Sequence, residues 1–359
     1  MGIRFDRDSK RATNGPMIFF SDPSSQGSLA EEIRGALISG LSFYCYRLPG
    51  DLMISFGSSE GFVEDFGEPG FVIGRFEPDA PIITIPYKGI KSDKTSSHAY
   101  YMPDRSTAYE AYCEEVSKII LSLQDNHESK VVIARVDIRL ISLDLTEQFF
   151  EFCERFPESM VYCFSTPATG CWIGASPELL LEGSQGYLKT MALAGTRMRG
   201  SEGEWDIKNR EEQKIVTKYI DEIFKSNGFV PEIGKVFTRA TGAIEHICTP
   251  IQAIVNKKDP DRLESLIKDL SPTPALCGYP KDFAIKEIKH LEKFDRGCYG
   301  GFCGPFHSVE NFIFNVVLRC ASVDEKKICI YAGGGITWRS VAEAEWKETE
   351  LKINNTFSK

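Results

Sequence analysis

The sequence predicts a domain that mixes β-strands with α-helices around a large apolar core. The chain has 359 residues, of which 42% are hydrophobic, so it is long enough to bury a substantial interior. Short apolar or alternating runs bounded by Gly, Pro and polar turn residues indicate strands. Longer stretches with apolar residues three and four positions apart indicate helices. Because no internal repeat, low-complexity tract or linker divides the chain, a single domain over residues 1–359 is predicted.

The first 110 residues carry the weakest pattern and form a variable part of that domain. They are rich in Gly, Pro and Phe, and short strands are predicted over residues 17–20, 41–47, 71–76 and 82–85.

The remaining residues, 111–359, alternate helices and strands more clearly and carry every motif discussed below. Helices are predicted over residues 109–124, 149–156, 206–225, 263–270 and 282–292, and from residue 341 onwards. Strands are predicted over residues 130–140, 160–164, 171–175, 178–182, 187–193, 236–255, 311–323 and 328–332. The strand over 130–140 alternates, so we expect one apolar face and one polar face.

Charge and cysteine usage exclude several classes of protein. The net charge is −9 and there is no basic block, which argues against nucleic acid or an anionic membrane as a partner. The 11 cysteines include no CxxC pair, which is typical of reduced thiols in a cytoplasmic protein. Residues 1–10 are charged, so no signal peptide is expected, and no apolar run approaches the ~18 residues of a membrane span.

Three consecutive glycines, residues 333–335, precede the last predicted helix and are expected to form a loop whose amides can approach a ligand. In that helix Glu345, Glu348 and Lys352 are three and four residues apart, so they share one face. Two carboxylates and an ammonium group there could hold a divalent metal and an anion together. The alternative is a solvated face with an ordinary Glu–Lys pair.

Two residues are candidates for proton transfer. Lys130 shares the parity of the apolar face of its strand, where burial would favour the neutral amine and make it a candidate base. The alternative is an edge lysine that reaches solvent at the strand end. Glu178 follows a Ser-Pro turn among apolar neighbours, which would raise its carboxyl pKa and keep a proton available for donation. It could instead be an ordinary acidic residue beside a turn.

Three further polar residues fall where apolar ones are expected. Glu212 extends the apolar stripe of the helix over 206–225, so it should be paired or bound to a cation, unless the helix dipole alone stabilises it. Arg319 lies opposite the apolar face of a predicted central strand, which suits either a carboxylate ligand or a structural ion pair. His246 is a weaker candidate, because an isolated strand histidine is usually a satisfied core residue.

From residue 130 onwards the sequence carries a series of distinctive runs. In order they are KVVIAR (130–135), ASPELLL (175–181), ALAGTRMRG (192–200), KNREEQ (208–213), IEHICT (244–249), SPTPALCGYP (271–280), FDRGCYGGFCG (294–304), VVLRC (316–320) and YAGGGI (331–336) with EAEWKETELK (343–352). In these runs and in their order the sequence closely resembles the chorismate-utilising enzymes, a family that comprises isochorismate synthases, salicylate synthases and the large subunits of anthranilate and aminodeoxychorismate synthases.

The resemblance implies an α+β fold in which two large antiparallel-rich sheets pack face to face with helices outside. It also implies Mg²⁺, with Glu212 and Glu348 as direct ligands and Glu345 acting through water. Arg319 and Lys352, with the amides around Gly195 and Gly333, would grip the enolpyruvyl carboxylate of chorismate. The remaining pocket residues that it implies are Thr196, His246, Ala275, Leu276 and Tyr299.

Within the family, the residue before VVIAR separates enzymes by their nucleophile. Members that use water carry Lys there, as this chain does with Lys130, whereas members that use ammonia carry an uncharged residue such as Gln. The resemblance therefore implies an isochorismate synthase in which Lys130 is the base and Glu178 the acid, with no glutaminase subunit and a monomeric chain. Salicylate synthase is the alternative; Ala275 argues against it and Tyr299 is compatible with it. The chain departs from many relatives at Asn209 and Gln213, so the outer metal shell is expected to differ.

Overall fold

The structure is a computed structural model that describes residues 18–20, 26–90, 99–125, 129–201, 203–241, 244–255 and 259–357. The charged residues 1–10, on which the expectation of no signal peptide rests, lie outside this part, as does the first residue of the predicted strand over 17–20. None of the helices in these ranges is long and apolar enough to cross a membrane. All 11 cysteines are free thiols, as their spacing predicts.

The described residues form two nine-stranded sheets in which every strand pair is antiparallel. The strands of the first sheet are β1 (Ile18–Phe20), β2 (Ser42–Arg47), β3 (Ile54–Ser59), β6 (Lys130–Arg139), β7 (Met160–Thr166), β8 (Gly170–Ser176), β14 (Gly278–Tyr279), β17 (Cys320–Val323) and β18 (Ile328–Ile336). Their order is β1-β3-β2-β7-β8-β17-β18-β6-β14.

The strands of the second sheet are β4 (Gly70–Gly74), β5 (Ile83–Pro86), β9 (Leu179–Ser184), β10 (Tyr187–Met198), β11 (Glu232–Ile233), β12 (Phe237–Thr241), β13 (Ile244–Ile254), β15 (Phe302–Ser308) and β16 (Asn311–Val316). Their order is β11-β13-β10-β9-β16-β15-β4-β5, with β12 also paired to β13.

Seven helices complete the described part. They are α1 (Gln26–Ile38), α2 (Tyr109–Ser122), α3 (Leu145–Arg155), α4 (Ile207–Ser226), α5 (Pro260–Leu270), α6 (Lys281–Leu291) and α7 (Ala342–Thr356). Aspartates begin three of them: Asp144, Asp206 and Asp259 each accept a hydrogen bond from a backbone N–H of the first helical turn.

The two sheets pack face to face, as the resemblance implies. Tyr44 of the first sheet stacks on Phe71 of the second with ring centroids 5.1 Å apart and planes inclined by 7°. One buried cluster joins side chains of both sheets with the apolar stripes of α4 and α5. The opposite face of the first sheet is covered by α1, α3 and α7 at one end and by α2 and α6 at the other.

The prediction that the strand over 130–140 has one polar face is wrong. Ala134 and Val136 of β6 face the core between the sheets, whereas Val131 and Ile133 pack under α2 and α6. The strand is buried on both faces at its amino-terminal end because helices cover its outer side. The arginine and aspartate side chains that suggested a solvated face lie further along it.

The single strand predicted over 311–323 is also wrong. Residues 311–316 form β16 in the second sheet and residues 320–323 form β17 in the first. The chain crosses between the sheets through Val317, Leu318 and Arg319, and Arg319 has a φ of +47°. Alternation of apolar residues continues through the crossover, so the pattern cannot reveal that the strand changes sheet.

The three glycines do not form the predicted loop. Gly333, Gly334 and Gly335 lie within β18 and pair with Ala134, Ile133 and Val132 of β6. Helix α1 and strand β3 are further elements that the weak pattern of the first 110 residues did not reveal.

A buried ion pair anchors the outer edge of β6. Glu292 and Arg296 form a salt bridge in which both side chains are only 2% exposed. The Glu292 carboxylate accepts the Ala134 N–H at 2.7 Å, and Arg296 donates to the carbonyls of Val132 and Leu276 at 2.7 Å each. These bonds satisfy backbone groups of β6 beyond the two residues that pair with β14.

Replacing Arg296 by Met should therefore lower the free energy of unfolding by about 3–5 kcal/mol, because it leaves the Glu292 carboxylate buried and without its cation. Urea denaturation followed by circular dichroism measures this change. Lys118→Met, which breaks the exposed pair with Glu114, is the control and should change stability by less than about 1 kcal/mol. Equal effects of the two substitutions would contradict the anchoring role.

Candidate active site

The candidate site lies where the first sheet opens beside β18. Strand β17 pairs with β18 only up to Tyr331, and β18 continues to Ile336 while paired with β6 on its other side. Beyond Tyr331 the Gly333 carbonyl accepts a hydrogen bond from the Lys352 amine at 2.7 Å. A side chain from α7 therefore reaches the edge of β18 at the predicted glycines.

The glycines of β18 provide the room that neighbouring side chains occupy. A Cβ atom on Gly335 would lie 2.5 Å from Cε of Lys130 and 3.5 Å from Oε1 of Glu212. A Cβ atom on Gly333 would lie 2.9 Å from the Tyr299 hydroxyl. Since real Cβ contacts of less than about 3.4 Å are rare, any larger residue at Gly335 or Gly333 would displace part of the site.

Lys130 and Glu212 are neighbours in this space. Lys130 is buried at the start of β6, and its amine forms an ion pair with Oε1 of Glu212 on α4. The sequence indicated that Glu212 is paired or bound to a cation and that Lys130 is a buried, neutral amine; in the structure the two form a pair with each other. For Lys130 to act as a base, Glu212 has to be engaged by another cation.

Glu178 is buried at the turn between β8 and β9. Burial raises the pKa of its carboxyl group to about 7, as the apolar neighbourhood predicted. Two smaller effects oppose burial: the Thr273 hydroxyl donates to Oε1 at 3.2 Å, and the positive charge of Lys130 favours the carboxylate. Near neutral pH this group can therefore both hold and release a proton.

A set of cations surrounds His246 on β13. Nδ1 of His246 lies 3.0 Å from the Gly195 carbonyl, where a bulge with φ +70° interrupts β10. The pKa of His246 is lowered to about 4, chiefly by burial; the bond to Gly195 opposes this effect, and the charges of Arg319, Lys352 and Arg239 contribute to it. The imidazole is therefore neutral at pH 7, in a positive environment that suits a carboxylate.

Arg319 contributes to this environment from an unexpected element. It lies in the crossover between the sheets, and burial lowers the pKa of its guanidinium group to about 10. Its carbonyl accepts the Ala175 N–H at 3.1 Å, which fixes the left-handed turn against β8. Thr196 follows the bulge with its backbone opposite His246, but its side chain lies outside the described atoms.

The three predicted metal ligands approach the same end of β18 from different sides. Glu345 is buried on α7, with Oε2 2.8 Å from where a Cβ atom of Gly334 would lie, whereas Glu212 is near Gly335. Glu348 pairs with Lys352 at 2.8 Å. In the ranges that the structure describes, no group of three His, Cys, Asp or Glu side chains is assembled closely enough to hold a metal ion. The carboxylate oxygens themselves are the donors that Mg²⁺ prefers.

The remaining predicted pocket residues lie on the loop before β14 and next to the crossover. Leu276 is buried and its carbonyl is held by Arg296, while Ala275 is half-buried against the core between the sheets. Tyr299 is buried, which raises the pKa of its hydroxyl group; the charge of Arg296 acts in the opposite direction.

Sequence patterns missed two residues that shape this site, and they noted a third, Gln213, only as a departure from many relatives. Thr273 lies within the SPTPALCGYP run and donates to Glu178. The only sequence feature that could have indicated it is a hydroxyl side chain in a proline-rich loop. Arg239 lies on β12, in a stretch read only as extended. Gln213 donates to the Ala192 carbonyl at 2.9 Å and to the Thr249 hydroxyl at 2.8 Å, so this departure from many relatives anchors α4 to the second sheet.

Comparison with known proteins identifies the family to which the chain belongs. A model of the chorismate binding enzyme family matches residues 85–358. The isochorismate synthase EntC of Escherichia coli strain K12 is 32% identical over 212 residues, which are 55% of this chain and 53% of EntC. The isochorismate synthase MenF of Pasteurella multocida strain Pm70 is 26% identical over 385 residues, which cover 98% of this chain and 85% of MenF.

The solved structure of the menaquinone-specific isochorismate synthase MenF from Escherichia coli superposes with a TM-score of 0.77 at 18% identity, covering 95% of this chain and 93% of that one. It shares the fold of two antiparallel sheets, which confirms the predicted fold class. The chain belongs to the chorismate binding enzyme family. It spans about half the length of several curated relatives that it matches, including EntC, so its activity is a separate question.

The raised pKa of Glu178 predicts a stability change for Glu178→Gln. The carboxyl group of Glu178 has a pKa of about 7 in the folded protein instead of its ordinary 4.5. Its burial therefore does not lower the stability of the protein below about pH 4.5, and it lowers the stability by the full amount above pH 7. Glutamine carries no charge, so the variant should gain up to about 3 kcal/mol over the parent protein at pH 8 and almost nothing at pH 4.5.

Urea unfolding at both pH values measures this difference. Glu182→Gln, on β9 but in contact with solvent, is the matched control and should show no comparable gain at pH 8. The burial argument would be contradicted if the difference in the free energy of unfolding between Glu178→Gln and the parent protein were the same at pH 8 as at pH 4.5.

Proposed function

We propose that the protein is a Mg²⁺-dependent isochorismate synthase that converts chorismate to isochorismate. The observation that carries this proposal is that Lys130 and Glu178 are both buried and that the charge of the amine acts on the pKa of the carboxyl group. An amine and a protonated carboxyl group are the base and acid that this reaction needs. The named relatives EntC and MenF, both isochorismate synthases, support the same reaction.

In the proposed reaction, water attacks C2 of the chorismate ring and its proton passes to the amine of Lys130. The ring double bonds shift, the C4–oxygen bond breaks, and Glu178 donates its proton to the departing hydroxyl group, which leaves as water. The shift of the Glu178 pKa to about 7 makes this donation feasible near neutral pH.

The cations near His246 are proposed to bind substrate. Arg319 and Lys352 would hold the enolpyruvyl carboxylate, since both influence the pKa of the same imidazole and thus lie near one place. The backbone around Gly195 and Gly333 would complete that site, while Thr196, Ala275, Leu276 and Tyr299 line the ring pocket.

Glu212 and Glu348, with Glu345 behind them, are proposed to hold Mg²⁺, whose charge would screen the ring carboxylate that otherwise repels the nucleophile. Engagement of Glu212 by a divalent cation would also separate it from Lys130, the condition under which that amine can accept a proton. Asn209 and Gln213 do not reproduce the acidic residue and histidine of many relatives, so any outer shell is built differently here. We further propose a cytoplasmic monomer that acts without a glutaminase subunit.

The decisive test is to incubate purified protein with chorismate, with and without Mg²⁺, and to separate the products by chromatography. We expect isochorismate to form only in the presence of the metal and to reach an equilibrium with chorismate. Salicylate with pyruvate would instead identify the alternative, a salicylate synthase, and anthranilate formed with ammonium salts would identify an amine-using enzyme. Lys130→Gln should lower turnover at least about 100-fold while chorismate still binds.

Gly335→Ala tests the position of the base without removing it. The added methyl group would meet the flexible end of Lys130, so we expect a turnover at least about tenfold lower but a free energy of unfolding within about 1 kcal/mol of the parent. Gly27→Ala, at a helical glycine with nothing within 4 Å of the new Cβ, is the matched control and should leave turnover unchanged. Full activity of Gly335→Ala would mean that Lys130 does not act from this position.

A further inference from the structure

A cavity lies on the opposite face of the first sheet from Lys130, away from the candidate active site. It has a volume of about 300 Å³, at the lower end of the range for small-molecule sites. The segment before α2, the middle of β6 and the carboxy-terminal half of α7 form its walls. Its lining includes Thr107, Arg135, Asp137, Trp346, Glu350 and Asn354. Because Arg135 and Lys130 are five residues apart on one strand, they project from opposite faces of the sheet.

Arg135 is the unusual feature of this cavity. It is only 5% exposed, and its guanidinium carbon lies 3.9 Å from the ring centroid of Trp346. Its Nε donates to the Thr349 hydroxyl at 2.7 Å. Among the described residues its two terminal amino groups have no hydrogen-bond acceptor, and no carboxylate lies within 4.0 Å of them. A rigid pair of donors thus borders the cavity with no protein partner, which suits a carboxylate ligand.

The other charges around the cavity define the rest of the ligand. Asp137 and Glu350 lie close enough for their negative charges to stabilise the charged form of Arg135, although burial has the larger and opposite effect on its pKa. Arg139 partly neutralises Asp137 through a bond of 3.0 Å, whereas Glu350 is exposed at the rim. A simple anion would be repelled by these two carboxylates. A ligand with an ammonium group as well as a carboxylate would satisfy both signs of charge.

We propose that this cavity binds a small zwitterion of the α-amino-acid type. Its carboxylate lies on the terminal amino groups of Arg135, and its ammonium group lies toward Asp137 and Glu350. Trp346 and Tyr109 form the apolar part of the wall, against which a side chain of the ligand packs. This site does not depend on the proposed reaction, and its occupancy can be measured without turnover.

Isothermal titration calorimetry of the full chain with glycine, L-leucine and L-phenylalanine tests the proposal, because these probes differ only in the size of the side chain. We expect saturable binding of at least one of them, with a Kd on the order of 0.1–1 mM. For the probe that binds best, the amide, which lacks the carboxylate, and the N-acetyl derivative, which lacks the ammonium group, should each bind at least tenfold more weakly. Absence of saturable binding by all three probes, or equal binding of acetate, would overturn the proposal.

Two substitutions locate the binding. Arg135→Gln should weaken it at least tenfold by removing the carboxylate partner. Glu350→Gln, at an exposed position that does not endanger folding, should weaken binding of the zwitterion about threefold or more and should not weaken binding of the anionic N-acetyl derivative, which Glu350 repels. Glu31→Gln, on the exposed face of α1, is the control and should change nothing. If Arg135→Gln does not fold, the Glu350→Gln variant and the two ligand derivatives still test the proposal. An unchanged affinity of Glu350→Gln for the zwitterion would refute the placement of the ammonium group.

Discussion

The site depends on one steric constraint, the absence of side chains along residues 333–335 of β18. In a central strand, each residue would normally send a Cβ atom into one of the packed faces. Here the inner face of Gly335 is filled by Lys130 and approached by Glu212, and the outer face of Gly334 by Glu345. Side chains from β6, α4 and α7 can thus meet around one backbone segment, although they come from distant parts of the chain. The glycines act through close approach within a sheet and not through the freedom of a loop.

Burial changes the pKa values of two site groups in opposite directions. It raises the pKa of the Glu178 carboxyl to about 7 and lowers that of the His246 imidazole to about 4, because in both cases the neutral form is favoured away from solvent. Near neutral pH, Glu178 can therefore hold a proton while His246 does not. Arg319 remains charged despite its burial, which leaves the region around His246 positive and suited to an anionic substrate.

Much of the architecture was accessible from local pattern, and the errors share one cause. Helices such as α4 and α5 and the strands β9 and β10 were predicted within a few residues, because amphipathic spacing and turn residues are local properties. Arg319 was assigned to a strand because alternation continues across the crossover from one sheet to the other. The apparent polar face of β6 was inferred from alternation alone, which cannot show that helices cover the outer side.

The sequence by itself singled out the candidate residues. Lys130, Glu178 and Glu212 stood out because charged side chains fell among apolar ones, and the Glu345–Lys352 helix face stood out by its spacing. Only the tertiary structure decided their partners. The Lys130–Glu212 pair joins residues 82 positions apart, and the carbonyl of Gly195 reaches His246 across two strands. The cavity around Arg135 likewise has walls from three separate segments. Sequence patterns indicate the local environment that each residue favours. Ion pairs and cavities depend instead on distances between distant segments, and only the packing of the two sheets and their helices determines these distances.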